Sequence, residues 1–412
     1  MTRTISDTRW AWLAALGCFI LAGLTGALFR FGMLYGLPEG LQLGNVRHAH
    51  SHLMYFSWVT PALMALIVAW LPRQTGRPVG RGYGPVIAAA LALGLLAYPT
   101  FVMYGYSLAQ VGEKRLPLSM MVSALNALPW YAFMLLYWRD TRRTARTLPL
   151  LLWDAALAAI ALASLGGVGR MALVGLRVTD PFWGEAMVHL FLDLFADGWF
   201  IFGVLGLVYA AHPNAGRPPL RWATWLIFIG LPFTALLGVP SSLVPDTLRP
   251  VASIGGLMVG TGLLVHLAAL WSAVIPPWRI PLAFLGLKAV GELAASLPMI
   301  GAWAEGAGLR IPYLHWLLLG FVSIGLVVAA GQVWGWRFVR GWRWYVAGVL
   351  LLQVSLLPLT GLWPTAWAGR WTLVFAAWVT LAPIAGAVIL TYSAWSTPGV
   401  GLRRLVRQPE SA

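Results

Sequence analysis

The sequence predicts an all-α integral membrane protein with about twelve transmembrane helices in one bundle. Hydrophobic residues make up 59% of the 412 residues and charged residues 10%, whereas a soluble domain has about 25% charged residues. The mean hydropathy is +0.76. About twelve apolar stretches reach the ~20 residues that a membrane crossing needs. Their short connections predict one transmembrane domain, residues 1–396, followed by a cytoplasmic tail, residues 397–412.

The predicted spans follow one another along the whole chain and are numbered 1 to 12. The sequence contains 45 glycines and 27 prolines, and both residues are more frequent in membrane helices than in soluble ones. Tryptophans flank many span ends, as in an interfacial belt. The approximate bounds are 10–29, 49–72, 83–107, 117–138, 148–169, 186–211, 220–239, 250–274, 281–303, 312–335, 343–363 and 370–395.

The basic excess of the chain predicts its orientation. The formal net charge is +15, but about two in three Lys and Arg residues lie in segments on the N-terminal side of the membrane, as the positive-inside rule requires of the cytoplasmic side. We therefore expect a multi-pass protein of the plasma (inner) membrane, surrounded by lipid, with both termini cytoplasmic. The charge distribution argues against nucleic acid as a partner.

Histidines gather at one end of three predicted spans. Ionisable residues inside a membrane usually face a cavity, a partner or a ligand, and this placement predicts a metal or haem site near one membrane face. We expect structural roles for His212 and His266. The gathered histidines are His48, His50 and His52 in span 2, His189 in span 6 and His315 in span 10.

The three histidines of span 2 divide between two helix faces. At about 100° per residue, His48 and His52 share one face and His50 points roughly 200° away. One face can hold a haem and the other a second metal, a proton path or ordinary hydrogen bonds. Capping and hydration of the helix entrance is the structural alternative.

Two further spans carry charged residues at helical spacing. His189, Asp193 and Asp197 lie four residues apart on one drifting face of span 6. They could bind a non-haem metal, relay protons or bond to neighbouring helices. Lys288 and Glu292 of span 9, again four apart, are expected to pair with each other or to transfer protons.

Span 2 contains the pattern Ala49-His50-x-x-x-Met54-x-Phe56-x-x-x-x-Pro61. This pattern resembles helix two of the haem-copper oxidase superfamily catalytic subunit, and the resemblance implies that His50 is an axial ligand of a low-spin haem. The same stretch is similar to the HxHxMxF element of NnrS-type membrane haem proteins.

Spans 6 and 10 extend this resemblance. His189-Leu190-x-x-Asp193-x-x-x-Asp197 is similar to the HLxxExxxE pattern of nitric oxide reductases, with Asp in place of Glu, and implies a metal ligand followed by assisting carboxylates. His315 matches the second low-spin haem ligand, while Tyr313 stands where the family has its high-spin ligand. Span 7 has no histidine where the family has two.

Together the matches imply a divergent, subunit I-like fold with a haem b held by His50 and His315. Copper or iron is the implied second metal, with His48, His52 and His189 as its candidate ligands. The candidate catalytic residues of a reductase of nitric oxide or oxygen are Asp193, Asp197 and Tyr313.

Three hypotheses for function remain open at this point. The first is a haem protein for electron transfer or divergent reduction, served by a quinol or an external electron carrier and associated with an accessory subunit or a second copy. The second is a non-redox protein that binds copper, zinc or iron, or responds to nitric oxide. The third is a secondary transporter, which typically has repeats and broken helices.

Overall fold

The computed structural model describes residues 8–215 and 219–397, and it is about 81% helical. The predicted tail beyond Thr397 lies outside the described residues. The α-helices are α1 (Arg9–Tyr35), α2 (Leu43–His52), α3 (Thr60–Thr75), α4 (Tyr83–Tyr104), α5 (Leu118–Ala124), α6 (Ala127–Thr141), α7 (Leu148–Gly175), α8 (Pro181–Asp193), α9 (Ile201–Ala211), α10 (Pro219–Gly238), α11 (Arg249–Trp271), α12 (Pro276–Ala295), α13 (Pro298–Gly306), α14 (Arg310–His315), α15 (Ile324–Trp334), α16 (Trp342–Leu356), α17 (Arg370–Val379) and α18 (Leu381–Ser396).

Shorter elements join or interrupt these helices. Antiparallel strands β1 (Ala109–Val111) and β2 (Lys114–Leu116) form a hairpin between α4 and α5. Three π-helical segments continue α2, α8 and α14 without a break in the helical path. They are Leu53–Val59, Leu194–Phe200 and Trp316–Ser323.

The chain is an all-α, multi-pass membrane protein. Within the described residues, 11 helices are long and apolar enough to cross a membrane, or 12 if one bent pair counts as a span. Span 2 now runs over Leu43–Thr75, span 6 over Pro181–Ala211 and span 10 over Arg310–Trp334. All five gathered histidines therefore lie inside spans.

Span 9 differs from the single straight crossing that the sequence predicted over 281–303. The chain bends by 114° between α12 and α13. Pro298 at the start of α13 explains the break, since the residue before a proline is disfavoured in the α conformation, and Leu297 is extended. With 20 residues, α12 is about 30 Å long, which matches the hydrocarbon thickness of a bilayer.

Spans 2, 6 and 10 form the centre of the bundle. In their most apolar stretches, 100%, 83% and 78% of the residues are buried, respectively. Hydrogen bonds join them, because Trp58 Nε1 donates to Ser323 Oγ at 2.9 Å and Trp199 Nε1 donates to Thr60 Oγ1 at 3.1 Å. A Cβ on Gly203 would lie 2.4 Å from Leu63, so glycine lets spans 2 and 6 approach closely.

Each central span changes from α to π geometry directly after a polar residue. The π segments follow His52 in span 2, Asp193 in span 6 and His315 in span 10. Such bulges occur often at functional sites in helices. The part of the bundle where the three π segments begin is therefore the expected position of a functional site.

Candidate functional site

The structure confirms the predicted division of the three histidines in span 2. His50 packs against span 1, where its Nδ1 lies 2.7 Å from the carbonyl oxygen of Ala22. His48 and His52 instead face Tyr106 in the loop after span 3. One helix turn therefore contributes side chains to two separate surroundings.

His50 and His315, the paired histidines, have the same local arrangement on two different spans. His315 Nδ1 lies 2.8 Å from the carbonyl oxygen of Ile311. Because a carbonyl oxygen can only accept, the proton of each imidazole is on Nδ1 and the lone pair is on Nε2. Among residues 8–215 and 219–397, neither Nε2 has a hydrogen-bond partner.

The paired histidines lie within electrostatic range of each other, and Arg30 of span 1 lies within range of both. Gly26 makes room for the His50 ring, since a Cβ there would lie 3.0 Å from Nδ1 and Cε1. The structure thus brings together the two histidines that the resemblance paired, and it adds Arg30, which the sequence did not single out.

The donor set around the paired histidines suits a haem iron. Metal-binding histidines almost always donate their second ring N–H to a carbonyl or carboxylate, which fixes the ring and its tautomer. Both rings are held in this way. Gln353 Nε2 also donates to the carbonyl oxygen of His315 at 2.8 Å, while its buried Oε1 has no partner in the part of the chain that the structure describes.

His48, His52 and Tyr106 form a second group, here named the tyrosine-histidine cluster. His52 Nε2 lies 3.2 Å from the hydroxyl of Tyr106, and His52 Nδ1 lies 3.4 Å from Ser123 Oγ. The rings of His48 and Tyr106 are 4.5 Å apart between centroids. Phe101 stacks on His52 at 3.7 Å.

His189 does not join His48 and His52. Its Nε2 accepts from Arg310 at 2.8 Å, and Glu185 lies 3.9 Å away. No three histidine, cysteine or acidic side chains among the described residues are grouped as a metal ion requires. A single second-metal site built from His48, His52 and His189 therefore lacks geometric support here, and the part of each histidine in metal binding stays a prediction.

A buried charge cluster lies between spans 6, 9 and 10 and consists of Asp197, Lys288, Glu292 and Tyr313. The fully buried Lys288 Nζ donates to Asp197 Oδ2 at 2.7 Å and also to Glu292. The hydroxyl of Tyr313 donates a hydrogen bond to Glu292 Oε2 at 2.6 Å. The predicted pairing of Lys288 with Glu292 is confirmed, and Tyr313 bonds to this cluster.

Asp193 lies one turn from the charge cluster, toward Arg310. It is within electrostatic range of Asp197, Lys288 and Arg310, and it makes no hydrogen bond to another described residue. Charged groups thus lead from Arg310, which is exposed, to the buried Lys288. The catalytic roles predicted for Asp193, Asp197 and Tyr313 stay predictions.

The other two histidines have the structural surroundings that the sequence predicted. His266 is buried between Tyr209, whose hydroxyl lies 3.0 Å from Nδ1, and Thr224, whose Oγ1 lies 3.3 Å from Nε2. His212 follows α9, and its Nδ1 lies 2.9 Å from the carbonyl oxygen of Val208.

Sequence comparison assigns no family to these sites. No protein-family model matches the chain, and no curated protein matches it either. Its function must therefore be inferred from the geometry of its own residues.

Proposed function

We propose that the chain is a membrane haem protein in which His50 and His315 are the axial ligands of one haem b. The observation that supports this proposal is the matched state of the two imidazoles. Each donates Nδ1–H to a backbone carbonyl, each keeps Nε2 free among the described residues, and the two lie within electrostatic range of each other on spans 2 and 10.

The proposed chemistry is electron transfer. A haem with two imidazole ligands has no open coordination position, which favours electron transfer over binding of a substrate at iron. In the proposed haem protein, the carbonyl groups of Ala22 and Ile311 would fix the two imidazoles, and Arg30 would supply a positive charge near the bound haem. A divergent reduction of oxygen or nitric oxide stays a prediction, as do the catalytic roles of Asp193, Asp197 and Tyr313.

The same proposal includes the architecture and the location of the protein. We propose a haem-copper oxidase subunit I-like bundle in the plasma (inner) membrane, with both termini cytoplasmic and a quinol or external carrier as electron donor. A chain with both termini on one side of the membrane must cross it an even number of times. The described residues provide twelve crossings when the bent pair of α12 and α13 counts as one span. The central position of spans 2, 6 and 10 supports this arrangement.

The experiment is a reduced-minus-oxidised absorption spectrum of the purified protein, combined with a pyridine haemochrome assay. We expect a low-spin b-type spectrum that is lost in His50→Ala and in His315→Ala. His212→Ala is the matched control, because His212 also bonds a backbone carbonyl through Nδ1 but lies outside the proposed site. Absence of haem from protein made with sufficient haem, or haem retained in both variants, would overturn the proposal.

A second candidate function is ion-coupled transport, and the charge cluster favours it. Transporters place ionisable groups in the membrane interior and use discontinuous helices near them. Lys288 and Glu292 lie on α12, which ends at the 114° bend. The test is proton flux into proteoliposomes: flux in the wild type that disappears in Lys288→Met and in Glu292→Gln would support transport, and equal leakage in all three would exclude it.

A further inference from the structure

The tyrosine-histidine cluster has no part in the proposed haem site. His48 and His52 lie on the face of span 2 opposite His50, and their neighbours belong to span 3, to the loop that follows it and, through Ser123, to span 4. Two histidines at positions i and i+4 of a helix project side by side. Both imidazoles lie against the same tyrosine, with ring centroids 4.5 Å (His48) and 6.2 Å (His52) from that of Tyr106.

The contact between His52 and Tyr106 is compatible with a shared metal ion. Zn²⁺ binds histidine nitrogen at about 2.0 Å, and two ligand atoms at that distance and at the tetrahedral angle lie about 3.3 Å apart. The separation between His52 Nε2 and the hydroxyl oxygen of Tyr106 is 3.2 Å. Ser123 Oγ, 3.4 Å from His52 Nδ1, orients this ring as second-sphere groups orient metal ligands.

The cluster is also accessible. Tyr106 is 51% exposed and His48 is partly exposed, so an ion can reach the cluster from solvent.

We propose that His48, His52 and Tyr106 bind a divalent transition-metal ion with nitrogen-oxygen preference, Zn²⁺ or Cu²⁺, at the end of spans 2 and 3. The ligands are one nitrogen of His48, Nε2 of His52 and the phenolate oxygen of Tyr106, and water completes the coordination. Binding releases the phenolic proton to solvent. The site is independent of the haem proposal, because the two share no ligand.

The experiment is titration of the purified protein with Zn²⁺ by calorimetry, on protein from which any histidine tag has been removed. It is repeated with Cu²⁺ and electron paramagnetic resonance, which reports nitrogen ligands directly. We expect one saturable site per chain and affinity at least tenfold weaker in His48→Gln, His52→Gln and Tyr106→Phe. Tyr104→Phe is the matched control, since Tyr104 lies two residues before Tyr106 and outside the cluster.

Because three ligand positions are replaced separately, the titration still tests the metal site if one variant misfolds. His52 stacks on Phe101, so His52→Gln could lose structure, whereas Tyr106→Phe removes one oxygen from an exposed ring. No saturable site in the wild type, or affinity unchanged in both Tyr106→Phe and His48→Gln, would overturn the proposal. Because the titration runs on haem-free as well as haem-containing protein, failure of the haem proposal leaves its outcome unaffected.

Discussion

Replacing Lys288 with Met is expected to destabilise the protein by about 3–5 kcal/mol, the cost of breaking a buried ion pair by removing one partner. The side chain of Lys288 is 0% exposed, and those of Asp197 and Glu292 are 10% and 6% exposed. At the 2.7 Å separation of Lys288 and Asp197, the Coulomb attraction is about 6 kcal/mol for an effective dielectric constant of 20. Desolvation offsets part of this attraction.

The assay is equilibrium unfolding of the purified protein in mixed micelles with increasing SDS. Lys114→Met is the matched control, because Lys114 lies on the exposed strand β2 and its loss should change the free energy of unfolding by less than about 0.5 kcal/mol. The triple variant Lys288→Met, Asp197→Asn, Glu292→Gln should recover most of the lost stability, since it removes all three charges of the cluster together. Equal stability of Lys288→Met and Lys114→Met would refute the ionised state of the cluster.

Two further changes have expected outcomes of different size. The variant Gly26→Val should bind haem roughly tenfold less tightly, because overpacking against the His50 ring costs about 1–3 kcal/mol. The control is Gly17→Val, since no neighbouring atom lies within 4 Å of a Cβ at that position. This control should retain haem normally in the pyridine haemochrome assay. Arg146→Ala should cost less than about 1 kcal/mol in the SDS unfolding assay, since its ion pair with Asp154 is about one-third exposed. A larger loss would mean that this pair is shielded from water.

Helical periodicity predicted the contacts that depend on one helix alone. The separation of His48 and His52 from His50 follows from the 100° turn per residue, and the pairing of Lys288 with Glu292 follows from their i, i+4 spacing. Contacts between distant helices were not predictable in this way. Asp197 contacts Lys288 only because spans 6 and 9 pack together, and no feature of the sequence near residue 197 identifies Lys288 as its partner.

Two features of the site have little or no sequence signal. A π segment needs only one extra residue per turn, and the apolar residues of Leu53–Val59 are equally compatible with an α-helix. Tyr106 lies in a loop, where its position depends on the turn after α4. The break in span 9 did have a signal, because Pro298 follows directly on Ser296-Leu297 and disfavours the α conformation before it.

Span 10 is the element that connects the paired histidines with the charge cluster. Tyr313 and His315 are two residues apart and therefore point to opposite sides of the helix. Tyr313 donates to Glu292, and His315 lies within electrostatic range of His50. A change of charge at Glu292 would thus reach the proposed haem through Tyr313, which lies on the same helix turn as the haem ligand His315. His48 and His52 likewise share a turn of span 2 with His50. We therefore expect a change of charge in either cluster to shift the redox potential of the haem.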